Sequence, residues 1–308
     1  MVDKGLHKIP DVHAGRPLAP IPITWVSLKG VKIPSVDFVV DGMKLTLVPL
    51  VEASVNLPAS QRGIHASRTY EAIITAINQA NRKGIMLEEL AGVIAEELIR
   101  KHHYSTKSKV RIKSEAYFRE RAPVTSAVSY EVFQIILEAT ASKLDDGVEV
   151  KRFLGARVTG LTACPCAKEM VREIYRSVSN GGVAEDAPLA THMQRSYGTI
   201  LVEAIDDMKV VDLVSIMRGS LSAGTIELLK REDEARIVLN ALEKTRFVED
   251  AAREAAVKLL KRYPTMPDSN RILIKVEALE SIHNHNLVAV IRASVGEIRN
   301  KMTRSLEA

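Results

Sequence analysis

Both cysteines of the chain fall in one short stretch, Leu161-Thr-Ala-Cys164-Pro165-Cys166-Ala-Lys168, and His192 arrives downstream just ahead of a Gln194-Arg195 pair. A second stretch near the C-terminus, Glu280-Ser281-Ile282-His283-Asn284-His285, holds two further histidines behind a carboxylate. Thiolate and imidazole are ligand types that suit zinc or ferrous iron. A C-x-C pair lacks the two-residue turn that lets both thiolates of a C-x-x-C knuckle reach one ion, so the spacing predicts a single cysteine ligand. His283 and His285, two residues apart, share a face if the backbone there is extended. Taken singly, a cysteine is as good a small core residue, and a His-x-His pair is as good a surface loop. Their concentration in two stretches is what points to a metal site.

A third cluster is basic. Arg62, His65, Ser67 and Arg68 stand within a few residues of one another, immediately before a helical pattern begins. A helix N-terminus adds unpaired backbone N–H groups and a positive dipole end to such side chains, which makes an anion site. A helix cap by Ser67 or Thr69 with solvated arginines is the alternative.

With 308 residues, 46% of them hydrophobic, the chain can bury a sizeable core and is long enough for two ordinary domains. The net charge of +5 is the small difference between 43 basic and 38 acidic residues, and aromatics make up only 4%. Nucleic-acid binding would want a concentrated excess interleaved with aromatics, so no nucleic acid is expected. No apolar run approaches the roughly 18 residues of a membrane span, and residues 1–15 are charged rather than apolar, so no membrane association is expected. Neighbouring cysteines that cannot close a long loop fit a reducing, cytoplasmic setting.

The elements that must position these residues follow from periodicity. Residues 1–30 read as an extended, proline-rich arm. Residues 31–40 and 44–56 read as strands joined at Asp41-Gly42, a hairpin signal. Amphipathic helices are expected over 70–82 and 86–103, split at Gly84, with His102 and His103 in structural roles at the end. Strands over 109–118 and 125–139 complete a first half. The second half repeats the order: strands over 148–159 and 196–205 around the cysteine stretch, helices over 206–218, 232–243 and 246–263, and strands over 271–279 and 287–293. The fold class expected is α+β, ββααββ twice over, with antiparallel sheets, helices on one face and open edges that subunits pair to close barrels. Residues 1–145 would form the arm and first module, and residues 146–308 a second module carrying most of the metal ligands.

Asp11-Val12, Ile21-Pro22-Ile23 and Lys29-Gly30 are followed in order by Gln61-Arg-Gly-Ile-His65-Ala-Ser-Arg68, the Cys164-Pro-Cys166 stretch and His192-Met-Gln-Arg-Ser196. Leu228-Leu-Lys-Arg-Glu-Asp-Glu234, Arg246-Phe-Val-Glu-Asp250 and Glu280-Ser-Ile-His-Asn-His285 complete the series. Together they resemble the motifs of the metal-dependent GTP cyclohydrolases of the type IB and type IV group, along nearly the whole chain. The resemblance implies a bimodular tunnelling fold and a homotetramer with active sites at subunit interfaces. By motif position, it implies metal ligands at Cys164, His192, Glu234 and His283, and a guanine-anchoring carboxylate at Glu249. Glu280 and His285 fall at positions for catalytic proton transfer or support of the ligands, and Cys166 for support of its loop. Without the resemblance, Glu234 would read as the solvated start of a helix, and Glu249 as a first-turn acid complementing a helix dipole.

Arg62, His65, Arg68, Lys168 and Arg195 are the candidates for holding the triphosphate. A longer link over 177–190, between the cysteine stretch and His192, resembles the archaeal type IV enzymes more than bacterial type IB. Type IV implies Fe(II), with Zn or Mn as alternatives. It implies metal-activated water opening the imidazole ring of GTP, release of formate and pyrophosphate, and 7,8-dihydroneopterin 2′,3′-cyclic phosphate as product, at the first step of pterin (methanopterin or folate) biosynthesis. The alternatives are a cyclohydrolase that gives dihydroneopterin triphosphate and a nitrile reductase of the same superfamily.

Overall fold

In Leu50–Leu57 the apolar residues Val51, Ala53, Val55 and Leu57 recur at every second position and are all buried, which is what a strand with one face on a core requires. The structure is a computed structural model and describes residues 11–33, 36–40, 43–83, 86–178 and 187–304.

The elements in order are β1 (Ile23–Lys32), β2 (Val36–Val40), β3 (Met43–Leu47), β4 (Leu50–Leu57), α1 (Ala66–Lys83), a 3-10 turn over Leu87–Glu89, α2 (Leu90–Lys101), β5 (Lys107–Arg121), β6 (Val128–Leu144) and β7 (Gly147–Ala163). Then follow α3 (Pro165–Val178), β8 (Met193–Glu203), α4 (Val210–Arg218), β9 (Ala223–Gly224), α5 (Arg231–Glu243), α6 (Val248–Arg262), β10 (Arg271–Ala278), β11 (Leu287–Ser294) and α7 (Val295–Arg304). The chain divides into two compact units. The first comprises residues 1–38, 48–113 and 137–152, and the second residues 39–47, 114–136 and 153–308, so the long strands β5, β6 and β7 run through both.

In the first unit the strand order is β1-β4-β5-β6-β7. Helices α1 and α2 pack on each other and α2 lies on β4, burying Ile73, Ala76 and Ile77 of α1 with Leu90, Ile94 and Leu98 of α2. The buried imidazole of His102 joins the two helix ends: its Nε2 meets Thr69 Oγ1 at 3.0 Å and its Nδ1 meets Tyr104 Oη at 2.8 Å. This bears out a structural role for His102. In the second unit the order is β5-β6-β7-β8-β10-β11, with β9 paired to β7. There α6 covers β10 and β11, and α4 packs on α6 and β8.

Several expectations are corrected. The sheets do not close into barrels: among the described residues β1 pairs only with β4 and β11 only with β10, so the sheet is an open antiparallel one with flanking helices, in a tunnelling-fold-like arrangement. Two register shifts in β1, with Gly30 at φ 72° in the second, twist that edge away from regular pairing. The arm expected over residues 1–30 becomes strand from Ile23 onward, because the run Ile23–Lys32 finds a partner in β4. The strand expected over 44–56 is broken at Pro49, which has no N–H for a ladder, leaving β2 and β3 as a separate two-stranded ribbon. The turn at Asp41-Gly42 and the break at Gly84 lie outside the described residues.

Candidate metal centre

The register of three neighbouring strands brings the candidate residues together in the second unit. Ala163, the last residue of β7, pairs with Met193, the first of β8, and Thr162 pairs with Gln194. Cys164 and His192 are therefore adjacent just beyond the end of that pair. The Cys164 N–H donates to His192 O at 3.1 Å, and Thr191 Oγ1 donates to Cys164 O at 2.7 Å. On the other side of β8, Ser196 pairs with Ala278 of β10, and Leu279 N–H donates to Arg195 O at 2.9 Å. Two residues further, Glu280 stands beside Gln194, and the loop carrying His283 and His285 follows before β11 returns along β10.

Gly160 permits this end of β7 to be crowded. A Cβ there would lie 2.5 Å from Leu221 Cδ1 and 2.7 Å from Ala223 O, so only glycine allows β9 and the segment before it to lie against the strand.

Cys164, His192, Glu280 and His283 line one cavity of about 210 Å³, together with Thr162, Gln194, Arg246, Phe247, Val248 and Leu287. Cys164 Sγ accepts the Ala167 N–H at 3.4 Å from the first turn of α3, where the helix dipole favours negative charge. Pro165 opens that helix at a position where a missing N–H costs nothing. His192 and His283 face each other edge-on with ring centroids 6.4 Å apart, and His285 stacks on His283 at 5.1 Å. The His192 side chain is 14% exposed and that of Glu280 only 3%. One cysteine and two histidines lining a shared cavity supply ligand types that suit a zinc-like or ferrous ion, although among the described residues their ligand atoms do not gather within 4.8 Å of one another as those of Asp11, His13 and His65 do.

Other expected residues stand elsewhere. Glu234 is exposed in the first turn of α5 and does not line the cavity. Lys168 Nζ, near Cys164, donates to Leu242 O at the far end of α5, and the helix rise puts Glu234 about 12 Å along the axis from there. Its neighbour Asp233 is buried instead and accepts the N–H groups of Val124 and Thr125, each at 2.9 Å, and the Thr125 hydroxyl at 2.6 Å. Burial opposes ionisation of Asp233 most strongly, but these bonds and one from Lys230 N–H together hold the carboxyl well below the usual range. Glu249 is exposed at the start of α6, directly after the cavity residues Phe247 and Val248. Arg195 is exposed, on the opposite face of β8 from the buried Gln194. Cys166 is exposed in α3.

Arg62, His65 and Arg68 belong to the first unit. There Asp11, His13 and His65 each bring a ligand atom within 4.8 Å of the others, a candidate triad for a divalent ion that the sequence reading did not single out. His65 Nε2 meets Asp11 Oδ2 at 3.0 Å, and this bond, with N–H groups of Ala14 and His13 on the same carboxylate, lowers the Asp11 pKa. Asp11 and His13 are near neighbours, but His65 lies 54 residues beyond Asp11, which hides the triad from a spacing argument. Thr162, Gln194, Arg246 and Phe247 also line the cavity; all four stand in the stretches quoted above, where none of them carried a role.

Residues 9–289 match a family model described as "GCHY-1: Type I GTP cyclohydrolase folE2", and the chain belongs to that family of enzymes. More particularly, it is similar to proteins named GTP cyclohydrolase MptA in methanogenic archaea. It is 37% identical to that of Methanococcoides burtonii (96% of this chain, 97% of the relative) and 36% identical to that of Methanosphaera stadtmanae (96% and 98%). With the protein of Methanothermobacter thermautotrophicus it shares 35% identity over 96% of each chain.

Proposed function

We propose that this protein is a GTP cyclohydrolase of the archaeal type IV kind, which opens the imidazole ring of GTP, releases formate and pyrophosphate, and yields 7,8-dihydroneopterin 2′,3′-cyclic phosphate for pterin biosynthesis. The observation that carries the proposal is the convergence of Cys164, His192, Glu280 and His283 on one cavity, in a chain similar along nearly its whole length to MptA proteins. The cyclic-phosphate branch is favoured by the longer link over 177–190, of which residues 179–186 lie outside the described residues.

In this reading Cys164, His192 and His283 hold Fe(II), with Zn and Mn as lesser alternatives. When bound, the ion supplies the Lewis acidity that makes water a nucleophile near neutral pH. The protein's own groups do the rest. A carboxylate at Glu249 accepts two hydrogen bonds from the N1–H and 2-amino edge of guanine. His285, stacked on His283, moves protons as the bonds from C8 to the ring nitrogens break and C8 leaves as formate. Arg62, His65, Arg68, Lys168 and Arg195 bind the phosphates. Glu234 completes the ligand set from a neighbouring subunit of a homotetramer, which accounts for its exposure at a distance from the cavity of its own chain. Thiolate ligation suits the reducing cytoplasm.

The test is anaerobic incubation of metal-free protein with GTP and Fe(II), Zn(II) or Mn(II) in turn, with formate and pyrophosphate both quantified. Formate with pyrophosphate in the Fe(II) tube is expected. Formate alone moves the protein to the triphosphate branch, and no formate with any metal overturns the reading.

Among the described residues, no helix is long and apolar enough to cross a membrane.

A further inference from the structure

We infer that Gln194 and Glu280 act as a positioning pair that fixes the tautomer of His192, protonating Nδ1 and leaving the Nε2 lone pair free for the metal ion. The inference deepens the metal reading of the site proposed above, and rests on it for the identity of the ligand.

Gln194 is buried at 8% exposure and spans two groups. Its Nε2 donates to Glu280 Oε1 at 3.1 Å, and its Oε1 lies 3.0 Å from His192 Nδ1. Which end of an amide faces which neighbour is decided by the network around it. The Gln194 amino group donates to Glu280 Oε1, and this contact sets which way the amide faces. The amide oxygen is thereby turned to the imidazole, and an oxygen can only accept. His192 Nδ1 must then carry the proton, and in a neutral ring Nε2 does not. The second Glu280 oxygen lies 3.9 Å from the same Nδ1, too far for a hydrogen bond.

The arrangement is built to hold. Gln194 sits on the buried face of β8, with its backbone fixed opposite Thr162 of β7, and the Glu280 side chain is almost wholly enclosed. Two residues with no ligand atom in the metal set thus decide which nitrogen His192 offers. Outer partners that orient ligating histidines in this way commonly contribute 10- to 100-fold in metal affinity.

The experiment uses the full chain, metal-free and labelled with ¹⁵N-histidine, at pH 8, where ordinary imidazoles are neutral. Long-range ¹H–¹⁵N spectra, with His192 assigned by its loss in His192→Ala, are expected to show Nδ1 protonated and Nε2 bare. In Glu280→Gln, which keeps the shape but no longer restricts the contact to an acceptor, His192 should become a mixture of tautomers, and Zn(II) affinity against a chromophoric chelator should fall roughly 10- to 100-fold. Gln194→Leu should lose as much affinity. A wild-type His192 protonated at Nε2, or an unchanged tautomer and affinity in both variants, overturns the inference. The expected tautomer together with Zn(II) binding that Cys164→Ala does not weaken would support the positioning pair and overturn the metal assignment instead.

Discussion

Cys164 and His192 are joined through the backbone as well as through the cavity they line: the N–H of the cysteine donates to the carbonyl oxygen of the histidine at 3.1 Å. The fold therefore holds this pair together without the ion. Cys164→Ala should leave the thermal midpoint nearly unchanged while abolishing metal retention and formate release together. Metal content by mass spectrometry, alongside the turnover assay, checks this. Wild-type activity in the variant would sink the metal reading. A full metal equivalent that is kept in Cys164→Ala but lost in His65→Ala would place the ion at the Asp11–His13–His65 triad.

Gly160→Ala tests how the strand end is packed. The added methyl group meets Leu221 and the Ala223 carbonyl at distances no relaxed contact allows. Overpacking of this kind costs about 1–3 kcal/mol. A urea titration should show that loss, and a variant as stable as the parent would mean that the 221–224 segment gives way easily.

His102 should leave a signature in the pH dependence of stability. Burial, then the positive charge of Arg68 and the neighbouring His65 and His103, lower its pKa from 6.5 to about 4. Between those values the unfolded chain binds a proton that the folded chain refuses, so stability is complete above pH 6.5 and falls as pH drops toward 4. Urea midpoints measured across that range should slope downward in the parent and more shallowly in His102→Gln. Parallel slopes would count against the buried neutral imidazole.

Glu234 offers a test of shared sites. If it serves a neighbouring subunit, Cys164→Ala and Glu234→Ala are each inactive alone, yet refolding the two variants together should restore measurable formate release, because some sites in the mixed oligomer receive both intact contributions. No restoration would assign both residues to one chain's site or remove Glu234 from it.

Much of the local structure was legible in the sequence. Alternation in Ile272, Ile274 and Val276 marked β10, and the helices around Ile73 and Leu259 followed from their spacing, because burial of one face imposes its period directly on the chain. The ligand types in the two metal-candidate stretches were equally readable. Two helices were overlooked although signals existed: Pro165 at the first position of α3, and Ser294 with Glu297, whose reciprocal bonds form a capping box at the start of α7. Tertiary structure alone decided the rest. Pairing register, not spacing along the chain, set Glu280 beside Gln194 and Cys164 beside His192, since strands distant in sequence meet only when the sheet assembles. Likewise, the chain by itself gave no sign that Asp233 rather than Glu234 would turn inward, because adjacent acids at a helix start are equivalent until a neighbouring turn offers one of them its N–H groups.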